Sequence, residues 1–337
     1  MARLKACPFK ETRDKRKEAQ AKEREQRDKR MSILVVGSVA FDTIKSQFGE
    51  RHKILGGAAT YFSLAASYFT DVRVLAVVGD DFTAEHEKVL TSHGVDVRGI
   101  EHAPGKTFHW GGEYGDNLNE AQTKFTDLNV FANFQPRIPE AYGDSEYLFL
   151  ANIQPDLQKQ VRDAMPEVKT VGGDTMNYWI NSMRPQLLET LKGVDILLIN
   201  DTEAKLLTGD TSVPRAANKI LEMGPRALVI KHGEYGATIF FEDGIYGNGF
   251  KAFRAPAMPI EEVFDPTGAG DSFAGGFMGY IASQKQVSRE VLKRAMFYGS
   301  VMGSFAVEKF GPERLQELTR EDIEERFQLF RSLTHLD

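Results

Sequence analysis

The residues best placed to do chemistry lie in one stretch, Asp265-Pro-Thr-Gly-Ala-Gly-Asp271 and the apolar run after it. Pro266 keeps the chain extended or turning. Gly268 and Gly270 allow a sharp turn and leave no side chain between backbone and ligand. Phe273, Phe277, Tyr280 and Ile281 then recur at helical spacing with Ala and Gly between them, which predicts a buried helix. The first amides of such a helix have no carbonyl partner, and its dipole favours negative charge. The turn is therefore suited to an anion such as a phosphate. Asp271 stands beside that anion site, where a carboxylate can take a proton. The same residues also suit a plain tight turn with a capping Asp.

The longer string Asp265-Pro-Thr-Gly-Ala-Gly-Asp-Ser-Phe-Ala-Gly-Gly276 resembles the C-terminal signature of the ribokinase-like (PfkB) carbohydrate kinase family. The resemblance extends over about residues 32–315. It implies a three-layer α/β/α ribokinase-like fold with a mostly parallel central sheet and a small β-sheet lid. It also implies transfer of the γ-phosphoryl of ATP to a hydroxymethyl group, with Mg2+ and, in some members, K+. On this reading Asp271 is the general base, and the amides of Gly268, Ala269 and Gly270 form the anion hole.

Other marks carry the same resemblance. Asp42, at the end of the first apolar run Ile33–Gly37, matches the Asp that binds sugar hydroxyls; a turn or capping Asp is the plainer alternative. Gly56-Gly57-Ala-Ala-Thr60-Tyr61 resembles the N-terminal signature, in which two glycines open a helix facing the acceptor, so Gly56, Gly57 and Thr60 are expected there. Many sugar kinases read Lys-Gly-Ala-Asn after the glycines, so the departure leaves the acceptor open. Asn200-Asp-Thr-Glu203 matches a motif that holds magnesium through water, and equally fits a helix capping box. Lys231-His-Gly233-Glu-Tyr-Gly236 stands where the family commonly has Thr-x-Gly-x-x-Gly. Lys231 replaces the Thr and is able to approach ATP phosphates as a point charge. A hairpin glycine pair is the plainer reading of Gly233 and Gly236. By resemblance, Asp265 and the Thr267 carbonyl hold a monovalent cation.

The elements needed to position these residues are visible as an alternation of apolar strands and amphipathic helices. Strands are predicted near 33–37, 72–78, 147–152, 168–171, 194–200, 226–231 and 237–241, and helices near 156–164, 292–308 and 320–332. Segments near 44–54 and 95–133 break the rhythm and are expected to form the lid. Phe108, Trp110 and Phe125 suit a ligand wall, the lid's own core or a dimer contact.

The 337 residues are 42% hydrophobic, enough for one large α/β domain. Residues 1–30 hold 12 basic and 6 acidic residues, leaving 30 basic and 42 acidic in the rest. The first 30 read as a disordered or solvated helical extension, and residues 31–337 as the kinase domain. An acidic body argues against a nucleic-acid surface. No run approaches the ~20 apolar residues of a membrane span. The single Cys7 suits a reducing, cytoplasmic setting. The expected partners are ATP and a small acceptor, a free sugar first and a nucleoside close behind, with a homodimer through the lid as a further option.

Overall fold

The computed structural model describes residues 31–115, 117–119, 121–242 and 252–334; the charged extension 1–30 lies outside the described residues. Thirteen strands are described. β1 (Ser32–Val36), β4 (Asp71–Val78), β5 (Asp96–His102), β8 (Tyr147–Leu150), β9 (Thr170–Gly173), β10 (Ile196–Asn200), β11 (Ala227–Lys231), β12 (Ala237–Phe241) and β13 (Ala252–Ala255) make one sheet, ordered β13-β12-β11-β10-β9-β8-β1-β4-β5. The run from β11 to β5 is parallel, and β12 and β13 are added as antiparallel pairs.

Apolar residues follow one another along the central strands because both faces are covered. Ile33 and Val35 enter one core with Leu198 and Val229, while Leu34 and Val36 enter the other with Leu197 and Leu228. The first core includes the helices Ala58–Ser67, Ala269–Ala282, Arg289–Ala306 and Arg320–Thr334. The second includes Pro155–Asp163, Arg184–Leu191, Asp201–Thr208 and Val213–Leu221. The three layers are as the sequence led us to expect.

The lid is a separate four-stranded sheet, β3-β2-β6-β7, of β2 (Ala40–Ser46), β3 (Gly49–Gly56), β6 (His109–Tyr114) and β7 (Ala121–Asp127). One expectation needs correction. The span from 95 is not all lid: β5 pairs with β4 at the edge of the main sheet. Its alternating residues cannot reveal which sheet they join, because pairing is a long-range choice. The short strand β13 and the helices 177–182, 184–191 and 213–221 were not anticipated.

Helix Ala269–Ala282 is nearly all buried and runs close beside two neighbours. A Cβ on Gly275 would lie 2.4 Å from the Phe62 carbonyl oxygen and 2.8 Å from the Ala65 Cβ. One on Gly276 would lie 2.6 Å from the Tyr298 carbonyl oxygen. Glycine costs about 1 kcal/mol in a helix relative to alanine, so close approach of backbones is what these positions provide. Gly275→Ala is therefore expected to destabilise the protein by about 1–3 kcal/mol, despite its better propensity. Chemical denaturation measures this, and a neutral or stabilising result would refute the packing argument.

Candidate active site

The C-terminal ends of the parallel strands are where open α/β sheets place ligands, and the candidate residues collect there. Asp174 follows β9, Asn200 ends β10 and Lys231 ends β11. Helix Ala269–Ala282 arrives with its N-terminus at the same edge. Gly268 caps it in the left-handed region at φ 74°, with Asp271 in the first turn.

Close approach fixes this loop. A Cβ on Gly268 would lie 2.3–2.4 Å from three ring carbons of Tyr61, so the loop backbone sits on that ring. A Cβ on Gly270 would lie 3.0 Å from Lys231 Nζ, which puts the ammonium beside the first turn of this helix. Lys231 also lies 3.6 Å from Asp174 Oδ2. Sequence reasoning alone gives Asp174 no role. The signal that could have found it is an Asp at the mouth of a buried parallel strand.

Four charged groups interact here. Desolvation raises the Asp271 carboxyl to about 7, aided by the negative charge of Asp174 and opposed by Lys231. Glu203 is raised to about 8 by burial and by Asp174. Burial also raises Asp174, against the pull of Lys231. Lys231 loses hydration too, but Asp174, Glu203 and Asp271 outweigh that loss and hold it above its ordinary value. Three acids share one lysine.

Asn200 and Glu203 do form a capping box. The Glu203 amide donates to Asn200 Oδ1 at 2.7 Å, and the Asn200 amide donates to Glu203 Oε2 at 2.7 Å. The plainer reading thus holds for the backbone, and it leaves the buried Glu203 carboxylate at the edge of the charged cluster. Gly233 and Gly236 lie in the turn of the β11–β12 hairpin, both at positive φ, 57° and 92°. A Cβ on Gly233 would lie 1.7 Å from Asn119 Oδ1, so the lid's hairpin end rests on this loop.

The other end of the cluster is built from β2 and the Gly56-Gly57 turn. Gly56 allows the Asp42 carboxylate to lie against its Cα, since a Cβ would fall 1.9 Å from Oδ2. Burial, the charges of Asp265 and Asp271, and an opposing hydrogen bond from the Gly57 amide leave Asp42 raised to about 8. Thr60 does not present its hydroxyl to this end. It is fully buried and donates to the Gly56 carbonyl at 2.7 Å. Asp265 is also fully buried, its two oxygens accepting from the amides of Thr267 and Gly311, both at 2.8 Å.

The lid covers these residues with one face. Asp42 is in register with Trp110, and side chains alternate along each strand. Asp42, Ile44, Ser46, Trp110, Gly112 and Tyr114 therefore share a face. Ser46 donates to the Phe264 carbonyl at 2.7 Å, and Thr267 to the Tyr114 hydroxyl at 3.1 Å, so this face meets the turn that leads into helix Ala269–Ala282. The other face carries Lys45, Glu113 and Lys124 in exposed ion pairs. Of the three lid aromatics, only Trp110 is on the site face. Phe125 packs edge-on against His109 at 4.9 Å on the far face, and Phe108 stacks on Phe131 at 5.3 Å. The Trp110 indole lies across Gly112, where a Cβ would come within 2.1 Å.

The raised carboxyls have a consequence for stability. Asp42 binds its proton more tightly folded than unfolded, so its contribution is full below pH ~4 and is lost as pH rises through about 8. Between pH 7 and 9 the unliganded protein is expected to lose stability, with about 1 kcal/mol of that loss from Asp42. Asp42→Asn, which mimics the neutral form, is expected to flatten the decline. Thermal melts at both pH values check this; equal declines in the two proteins would contradict it.

The sequence matches the pfkB family carbohydrate kinase description over residues 31–318. It is 30% identical over 280 residues to a cytidine kinase of Thermococcus kodakarensis, covering 78% of this chain and 97% of that protein. In fold it is similar to Burkholderia thailandensis nucleoside kinase solved with inosine, with TM-score 0.71 and 20% identity over 89% of this chain and 99% of that one. A putative ribokinase II of E. coli solved with ATP and Mg2+ gives TM-score 0.72 and 21% identity, with the same coverage of both chains. Among the described residues no helix is long and apolar enough to cross a membrane. The chain belongs to the pfkB family of carbohydrate kinases, and it is a phosphotransferase that acts on a hydroxyl acceptor.

Proposed function

We propose that this kinase transfers the γ-phosphoryl of ATP to the ribose hydroxymethyl group of a nucleoside. The observation that carries the choice of acceptor is Trp110, a flat apolar surface on the same lid face as the hydroxyl-binding Asp42. A free sugar needs polar partners all round, because unmatched buried donors cost affinity. A nucleobase needs a wall to lie on. The cytidine kinase relative and the neighbour solved with inosine support the same reading.

In the proposed reaction Asp42 and the turn at Gly56 and Gly57 orient the acceptor. Asp271 takes the hydroxyl proton as the oxygen attacks. The amides of Gly268, Ala269 and Gly270 stabilise charge on the moving phosphoryl, and Lys231, beside Gly270, adds a positive charge. Asp174 holds that lysine in place. The 233–236 turn, against which Asn119 rests, is the proposed nucleotide loop.

The acids near Asn200 and Glu203 fit a hard divalent cation, since three carboxylates face one ammonium. No described cluster of three or more His, Cys, Asp or Glu is arranged to hold a metal by itself. Mg2+ commonly takes only one or two carboxylates and keeps waters and phosphate oxygens in the rest of its shell. Magnesium bound with ATP would neutralise triphosphate charge. Asp265 and the Thr267 carbonyl are the proposed seat of K+; the support is a fully buried carboxylate whose desolvation raises its pKa. A homodimer through the lid is proposed as well, its support being the exposed outer lid face and β3.

Two tests follow from this reading. Asp271→Asn is expected to lower kcat by about 10²–10⁴-fold without lowering the melting temperature; near-normal turnover in the folded variant would remove the base role. ADP release across nucleosides, ribose, fructose and sugar acids is expected to be fastest with a nucleoside, and Trp110→Ala to lose nucleoside activity selectively. Faster turnover of a free sugar would reverse the assignment of acceptor.

A further inference from the structure

The far end of the main sheet carries a second cleft, which the proposed chemistry does not use. It has a volume of about 610 Å³ and lies at the N-terminal ends of β8, β9, β10 and β11, whereas the charged cluster lies at their C-terminal ends. Tyr147 and Thr170, the first residues of β8 and β9, line it from the sheet. The segment from Lys285 to Arg289, which joins helices Ala269–Ala282 and Arg289–Ala306, lines it from above.

Several buried groups in this lining have no partner. Tyr147 is 2% exposed and Thr170 7%, yet neither hydroxyl has a hydrogen bond among the described residues. Arg289 Nε is buried and unpaired as well. Its guanidinium lies 5.3 Å from the centre of the Phe241 ring, a contact that covers one face of the group and uses none of its five N–H donors. Buried polar groups without partners are uncommon, because they lose hydration for nothing.

The cleft is also cationic. Arg226 and Lys285 open onto it, and neither has an ion pair among the described residues. Ser288 caps the 18-residue helix Arg289–Ala306, whose first amides have no carbonyl partners and carry the positive end of its dipole. Against these charges stand Glu290 and Asp195, one oxygen of which accepts the Val171 amide at 2.8 Å. A solvated basic surface would account for the exposed Arg226 and Lys285. It does not account for the buried, unpaired Tyr147, Thr170 and Arg289. A guanidinium beside a helix N-terminus matches a phosphate. Two hydroxyls beside a carboxylate match the hydroxyls of a sugar.

We propose that this cleft is a binding site for a sugar phosphate, with the phosphate on Arg289, Arg226 and Lys285 at the helix N-terminus and the sugar hydroxyls on Tyr147, Thr170 and Asp195. Its volume is in the range of small-molecule sites. None of the groups proposed for phosphoryl transfer lies at this end, so the ligand is held there and not turned over. The site does not depend on which acceptor the kinase uses.

The test is calorimetric titration of the full-length enzyme with ribose 5-phosphate. The proposed catalytic cleft is first filled with a non-hydrolysable ATP analogue, Mg2+ and the best acceptor of the panel, so that it takes up none of the titrant. One site per chain is expected, with Kd below about 1 mM. Arg289→Gln and Arg226→Ala are each expected to weaken binding about 10- to 100-fold, the loss of a charge-assisted hydrogen bond, and Tyr147→Phe about 2- to 10-fold. Arg226 is exposed and its side chain has no described partner, so its variant decides the matter if Arg289→Gln lowers the melting temperature. Ribose and inorganic phosphate are each expected to bind at least about tenfold more weakly than ribose 5-phosphate. No saturable binding by the wild type, or binding unchanged in both arginine variants, would overturn the proposal. Inorganic phosphate binding as tightly as ribose 5-phosphate would overturn the sugar half of the site.

Discussion

The close approach of two helices organises the site. Gly268 lies against Tyr61, Gly275 against Phe62 and Ala65, and Gly279 against Ala66. Both series advance together along the chain, so helices Ala58–Ser67 and Ala269–Ala282 run in the same direction with their N-termini side by side. Each is opened by a glycine at positive φ, Gly57 at 92° and Gly268 at 74°. Two positive dipole ends therefore converge on one cleft. Side chains larger than glycine at these crossings would separate the helices, and with them the proposed acceptor end from the proposed phosphoryl end.

That convergence explains how the cleft tolerates its acids. Asp42 and Asp271 each sit at one of the two helix N-termini, and Asp174 and Glu203 lie across from them with Lys231 between. Even so, burial dominates and the carboxyls are raised towards neutrality or beyond it. A site in this condition favours ligands that bring positive charge or hydrogen-bond donors. A magnesium nucleotide and a polyhydroxyl acceptor are ligands of that kind, and a base with a pKa near 7 is matched to proton transfer at neutral pH.

The layered fold was legible because buried parallel strands read as apolar runs, and β1, β8, β10 and β11 are such runs. The turn before helix Ala269–Ala282 was legible because glycines and a proline admit few backbone shapes. Side-chain roles were harder to read. Whether Thr60 faces a ligand or its own helix depends on one rotamer, and the structure turns it back to Gly56. Phe108, Trp110 and Phe125 are equivalent as residue types; register alone puts Trp110 with Asp42 and Phe125 on the other face. Asp174 acquires its role only from Lys231, 57 positions later in the chain.

The lid carries this argument one step further. The groups proposed for phosphoryl transfer come from the ends of the main sheet and from one helix. The groups proposed for choosing the acceptor come largely from β2 and β6, which belong to a different sheet. Two hydrogen bonds, from Ser46 to Phe264 and from Thr267 to Tyr114, tie that sheet to the catalytic turn. Because alternate lid residues face the cleft and their neighbours face outward, a substitution at 110 or 112 is expected to alter the surroundings of the proposed acceptor without touching the ion pairs outside. Gly112 shows the coupling within that face, since only a residue without a side chain lets the Trp110 indole lie flat across it. On the proposed reading, acceptor choice can vary at 110 and 112 while the groups proposed for phosphoryl transfer, carried on other elements, stay unchanged.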